Sequence, residues 1–329
     1  MSQARPRKPR RVFVSRSLAG LGEPDLLAPL REACVVDVWA GSEPPQPEDL
    51  RERCRACEGL LCLLTDRIDD VFLEACPSLR VLSSLSVGVD HIDLAAAASR
   101  GVVVGHTPGV LTETTADLAF GLMLAAARRL AEADGFVRSG AWTPSTRWEP
   151  DMFLGRDVHG AVLGIVGLGA IGQAVARRAL GFGMTVLGWT PSGRPVPGVE
   201  SVDLDALLER ADFVSLHVAL AETTRGLIGA AELARLRPGA VLVNTARGGI
   251  VDEVALAGSL ATGHLGAAAL DVFEDEPLDP ASPLLGAPNL VLAPHIGSAS
   301  IATRRRMAEL AVENLRAGLA GEPMPHEVG

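Results

Sequence analysis

The chain has 329 residues, with 30 Lys and Arg against 40 Asp and Glu for a formal charge of −10, and it is 48% apolar and 21% charged. That is room for two folded domains, and an acidic chain with no basic domain argues against a nucleic-acid partner. Lys8 is the one lysine and tyrosine is absent, which excludes a Walker A phosphate loop, a Schiff-base lysine and the Tyr-Lys pair of short-chain dehydrogenases.

The chain opens on the basic cluster Arg5, Arg7, Lys8, Arg10 and Arg11. No apolar run follows it, so it reads as a solvated leader rather than a targeting signal. From Arg11 to about His106, short apolar runs alternate with helical stretches. The expected strands are Val12–Val14, Val35–Trp39, Leu60–Leu64, Val81–Ser84 and Val102–Val104. Strands that are continuously apolar, each followed by a helix, indicate a parallel sheet covered on both faces. Cys34, Cys54, Cys57, Cys62 and Cys76 all fall in this part. Cys54 and Cys57 have a zinc-like spacing without a second ligand pair in register, so they read as reduced thiols and no metal is expected.

After Thr107-Pro108-Gly109 one long helix is expected from about Thr112 to Val137, apolar nearly all round its centre and therefore buried on most faces. An irregular loop with Trp142 and Trp148 follows, from Ser139 to Gly160. A second α/β series then runs from Ala161 to about Ala293, and a last helix spans Ala299 to Gly321. No run reaches the ~18–20 apolar residues of a membrane span, and a cytoplasmic protein is expected.

The second series opens on a strand, Val162–Val166, then Gly167-x-Gly169-x-x-Gly172, then a helix from Ala170. In that setting the first glycine allows a tight turn and the second lets backbone N–H groups approach a pyrophosphate. The third packs the helix on the sheet, so Gly167, Gly169, Ala170, Ile171 and Gly172 are expected to hold a dinucleotide. The next strand ends at Trp189, followed by Thr190-Pro-Ser192-Gly-Arg194. A carboxylate for the ribose 2′-OH is missing there, while hydroxyls and a guanidinium suit a 2′-phosphate. NADPH is the expected cofactor, held by Thr190, Ser192 and Arg194, with NADH as a second option.

Three later strings end strands: Val241-Leu-Val-Asn-Thr-Ala-Arg247, Ala267-Ala-Ala-Leu-Asp271 running on to Glu276, and Leu292-Ala-Pro-His295-Ile-Gly-Ser298. Catalytic groups in open α/β sheets gather at such carboxyl ends. Together with Ser84-Leu-Ser-Val87-Gly88-Val-Asp-His91 and the segment from Thr107 to Asp117, these strings resemble the D-isomer-specific 2-hydroxyacid dehydrogenases. They are most like the glyoxylate/hydroxypyruvate reductase branch. The resemblance implies two doubly wound parallel-sheet domains. Residues 1–109 and 297–329 would form a flavodoxin-like substrate domain, and 110–296 a Rossmann cofactor domain.

It further implies that Arg247 binds the substrate carboxylate and carbonyl, that His295 is the acid/base and that Glu276 is its partner. The N–H groups of Val87 and Gly88 would hold the carboxylate, Asp271 would contact the nicotinamide amide, and Thr115 would line the cofactor. Ser298 would touch substrate or help start the last helix. In a homodimer, Trp148 rather than Trp142 would reach the neighbouring active site. Elementary chemistry agrees on the core roles. Reducing a 2-keto acid needs a hydride at carbon and a proton at oxygen. Histidine donates near neutral pH with a carboxylate beside it, and arginine offers a donor fork matched to a carboxylate.

The remaining histidines, His91, His106, His159, His217, His264 and His326, read as structural or exposed. A tyrosine-bearing D-lactate dehydrogenase and a lysine-bearing phosphite dehydrogenase do not fit this composition. A dehydrogenase for 3-phosphoglycerate or a longer 2-keto acid, or a dinucleotide-sensing corepressor, stands as the alternative.

Overall fold

The computed structural model describes residues 9–191 and 193–328. Two compact units emerge, Met1–Leu111 with Ala299–Gly329, and Thr112–Ser298; the expected junctions, 109/110 and 296/297, lie close by.

In the first unit the strands are β1 Arg10–Val14, β2 Cys34–Val38, β3 Gly59–Cys62, β4 Val81–Ser84 and β5 Val103–Gly105. They pair in parallel in the order β2-β1-β3-β4-β5, the flavodoxin-like order. Alternate residues of the buried strands feed two cores. Phe13, Leu60, Cys62 and Leu82 pack on one face with Cys54, Cys57 and Cys76, where cysteine acts as a small hydrophobe. Val12, Val14, Leu61 and Val81 pack on the other face. The helix Ile301–Ala320 covers that second face with Ala308, Ala311, Val312, Leu315 and Leu319. Ser300 Oγ caps it by accepting from Thr303 N, and Gly321 ends it at φ 80°. Ser300, not Ser298, therefore starts this helix.

The second unit holds β6 Val162–Val166, β7 Thr185–Trp189, β8 Glu200–Ser201, β9 Phe213–Leu216, β10 Val241–Asn244, β11 Ala267–Leu270 and β12 Leu290–Leu292. Their parallel order is β12-β11-β10-β9-β6-β7-β8, a Rossmann arrangement with one added strand, reversing direction between β6 and β9. Strands β9, β10 and β11 are buried throughout, and again each face has its own core.

The helix expected over 112–137 is two helices, Thr112–Ala127 and Leu130–Arg138. A continuing helix would use the Ala127 carbonyl internally. Here that carbonyl accepts from Arg156 N at 2.9 Å instead, and Arg129 turns left-handed at φ 54°. The loop can come so near because residue 155 is glycine, whose missing Cβ would collide with Ala127 O. Thr112–Ala127 packs against β10, β11 and the Ala170–Gly181 helix. Among the described residues, no helix is long and apolar enough to cross a membrane. Of the basic leader, Arg5, Arg7 and Lys8 lie outside the described residues.

Candidate active site

The glycine-rich turn sits at the carboxyl end of β6. Gly167 adopts φ 102° and its N–H donates to Trp189 O at 2.8 Å. A Cβ on Gly167 would come within 2.6 Å of the His217 carbonyl, and one on Gly172 would strike Gly167 O. Neither position tolerates a side chain. Gly169 is exposed, with nothing near its missing Cβ, and it opens the Ala170–Gly181 helix without a side-chain cap. The helix start thus carries no side-chain cap, and the first-turn N–H groups of Ala170, Ile171 and Gly172 are the donors an anionic pyrophosphate would use. Beyond β7, Thr190 is half-buried and its carbonyl accepts from Gly193 N. Arg194 is exposed, and no carboxylate pairs with it among the described residues. Ser192 lies outside the described residues.

At the end of β10, the buried Asn244 shapes the turn that presents Arg247. Its Oδ1 accepts from Ala246 N at 3.0 Å and its Nδ2 donates to Arg247 O at 2.8 Å. Arg247 is half-buried and its Nη1 donates to Ala246 O. A Cβ on Gly248 would overlap the Phe273 carbonyl carbon. The Arg247 turn and the segment after β11 are thereby pressed together, backbone on backbone.

That second segment carries Asp271 and Glu276. Asp271 is buried; its Oδ1 accepts from Ile296 N at 2.7 Å and the Gly297 amide lies alongside, but Oδ2 has no hydrogen bond of good geometry among the described residues. Burial raises its pKa, against the lowering effect of the Ile296 amide and His295. A buried acceptor left over in this way calls for a donor from a ligand. Thr115 is buried, and its hydroxyl donates to Gly297 O at 3.1 Å. Asp117, in the next turn, is exposed and binds Arg178 at 2.8 Å, tying the two helices together.

His295 follows β12 with φ 52°, a left-handed conformation uncommon for a side-chain-bearing residue. Its N–H donates to Asp271 O at 2.9 Å. Its Nδ1 meets Glu276 Oε2 at 2.7 Å, while Glu276 Oε1 accepts from Phe273 N at 3.0 Å. Burial pushes the Glu276 carboxyl up, but His295, the Phe273 amide and the Arg247 charge together hold it below the usual carboxylate range. The arrangement orients the ring, with Nδ1 on the carboxylate and Nε2 without a hydrogen-bond partner among the described residues. Arg247, Glu276, His295 and Asp271 thus converge on neighbouring strand ends. Ser298 is half-buried in the same segment.

In the first unit, Ser86, Val87 and Gly88 follow β4. Each of their carbonyls is occupied. Ser86 O accepts from Thr107 N (2.8 Å) and Thr107 Oγ1 (3.0 Å), Val87 O from His106 Nδ1 (2.9 Å), and Gly88 O from Ser86 Oγ (2.7 Å). The N–H groups of Val87 and Gly88 meet no acceptor among the described residues. Of these supports, His106 is one that the sequence reading sets aside as structural or exposed. The available signal is that it ends β5, the neighbour of β4. Trp142 and Trp148 are both exposed, Trp148 at 72%, and Trp142 Nε1 donates to Arg147 O.

A sequence profile described as "D-isomer specific 2-hydroxyacid dehydrogenase, NAD binding domain" matches residues 120–297. A glyoxylate reductase of Korarchaeum cryptofilum is 50% identical over 325 residues, covering 98% of this chain and 96% of the relative. A glyoxylate reductase of Thermococcus litoralis is 44% identical, covering 98% and 97%. The solved structure of an NADPH-dependent glyoxylate/hydroxypyruvate reductase from Sinorhizobium meliloti, in complex with NADP and malonate, superposes with a TM-score of 0.86 at 33% identity. It covers 98% of this chain and 97% of that one. With the dinucleotide turn and the strand-end residues in place, the chain belongs to the D-isomer-specific 2-hydroxyacid dehydrogenases, oxidoreductases that work with a nicotinamide dinucleotide.

Proposed function

We propose that the protein uses NADPH to reduce small 2-keto acids, glyoxylate to glycolate and hydroxypyruvate to D-glycerate. The observation that carries this reading is the His295–Glu276 pair, 2.7 Å apart, with the Arg247 charge close enough to help hold Glu276 ionised. A bound reduced nicotinamide supplies the hydride to the carbonyl carbon. His295 delivers the proton to the carbonyl oxygen from Nε2, Glu276 orients the ring, and Arg247 polarises the carbonyl while binding the carboxylate. The Val87 and Gly88 amides take the carboxylate, and Ser298 takes a substrate oxygen. For the cofactor, Gly167, Gly169, Ala170, Ile171 and Gly172 would hold the pyrophosphate and Asp271 would accept from the carboxamide. Thr115 shapes that pocket through its bond to Gly297. The choice of NADPH rests on Thr190, Ser192 and Arg194, where a carboxylate would repel a 2′-phosphate. Trp148 of a second copy completes the substrate pocket in a homodimer.

The test is initial-rate reduction of glyoxylate, hydroxypyruvate and pyruvate with each dinucleotide. The expected outcome is turnover with glyoxylate and hydroxypyruvate and a lower KM for NADPH than for NADH. In Arg194→Ala the NADPH KM rises about tenfold, the worth of one charge-assisted contact, while NADH is unaffected. Preference for NADH in the parent protein contradicts the cofactor assignment.

A further inference from the structure

A trans peptide is planar, with its C=O and N–H pointing in opposite directions. Fixing one carbonyl therefore aims the next residue's amide. The Ser86 carbonyl, held by both Thr107 groups, aims the Val87 N–H. The Val87 carbonyl, held by His106 Nδ1 alone, aims the Gly88 N–H. A carbonyl has no proton to give, so Nδ1 must be the donor, and His106 carries its proton there. Two neighbouring amides, with no acceptor among the described residues, form a donor pair for an anion.

His106 is itself held at the backbone. Its N–H donates to His326 O at 3.0 Å, and its carbonyl accepts from Asn314 Nδ2 at 2.8 Å. Asn314 is fully buried in the Ile301–Ala320 helix, and its Oδ1 accepts from His326 N at 3.0 Å. Gly105 is what admits Asn314, since a Cβ there would sit 2.9 Å from the Asn314 Cβ. Val328 N then donates to Val104 O at 2.7 Å, so the end of the chain runs along the free edge of β5. The imidazole thus hangs from a backbone fastened on both sides.

We infer that His106 is a positioning residue for the substrate carboxylate: its Nδ1–H, fixed through Asn314 and the C-terminal segment, orients the Gly88 amide that receives the anion. This rests on the proposed keto-acid reductase reading and adds to it the group that organises the carboxylate site. Without that donor the Val87–Gly88 peptide is free to rotate, and substrate binding bears the cost of ordering it.

The experiment is steady-state kinetics with glyoxylate on the full chain, with NADPH binding measured by fluorescence, for His106→Leu, His106→Asn and His106→Gln. An Asn amide nitrogen reaches the place of Nδ1, whereas a Gln amide reaches that of Nε2. His106→Leu and His106→Gln are expected to raise KM for glyoxylate about five- to tenfold, the worth of one hydrogen bond, with kcat and NADPH binding little changed. His106→Asn is expected to restore KM. If His106→Leu fails to fold, the Asn and Gln variants carry the same comparison. A KM that does not move, or that moves equally in the Asn and Gln variants, overturns the inference. Parent protein that consumes no NADPH with glyoxylate or hydroxypyruvate would instead overturn the underlying reading, and the two failures are told apart by that first measurement.

Discussion

Glu276 is placed between opposing influences: burial favours its neutral form, while His295, the Phe273 amide and Arg247 favour the carboxylate and prevail. A carboxyl whose folded pKa lies below its unfolded value near 4.5 stabilises the fold above that value, and the contribution is lost as pH falls through the folded pKa. The pair is therefore intact across the neutral range. Replacing Glu276 by Gln removes the negative charge facing Nδ1. Keto-acid reduction by Glu276→Gln should lose about 10- to 100-fold in kcat. An unchanged kcat would take Glu276 out of the partner role. At this scale the sequence is legible where a motif is local. The Gly167, Gly169 and Gly172 spacing lies within a single strand-turn-helix. His106 is not legible in the same way, because its partner Val87 is 19 positions away and meets it only when β4 and β5 lie side by side.

Among the elements, strands are the easiest to read, since runs such as Val12–Val14 and Val162–Val166 are apolar throughout and helices cover both faces of their sheets. The break after Ala127 is hidden in the sequence. Arg128 and Arg129 are ordinary helix formers, and the cause is the remote Gly155–Arg156 loop capturing a carbonyl. One consequence is a segment from Leu130 to Leu154 that exposes Leu130, Val137, Trp142, Trp148 and Leu154. On the proposed homodimer reading these exposed apolar groups supply the partner-facing contacts. Sedimentation should show a dimer, and Trp148→Ala should change the preference between glyoxylate and pyruvate by about tenfold, the worth of a pocket contact, while Trp142→Ala leaves it unchanged. A monomer, or equal effects of the two substitutions, would contradict the assignment of Trp148.

For the whole molecule, composition bears directly on the chemistry. With Lys8 the one lysine and tyrosine absent, proton transfer to a carbonyl falls to histidine, and anion recognition to arginine and backbone amides. On the proposed reading both roles fall to residues at the carboxyl ends of parallel strands: Arg247, Glu276 and His295 after β10, β11 and β12, and the Val87 and Gly88 amides after β4. In the proposed reaction Arg247 and His295 perform catalysis without contributing to cofactor affinity. The most direct test is NADPH binding and glyoxylate turnover measured side by side in His295→Ala and Arg247→Ala. A fall of about 10²- to 10³-fold in turnover is expected for each, with NADPH affinity nearly unchanged. Near-normal turnover in either variant would contradict these roles.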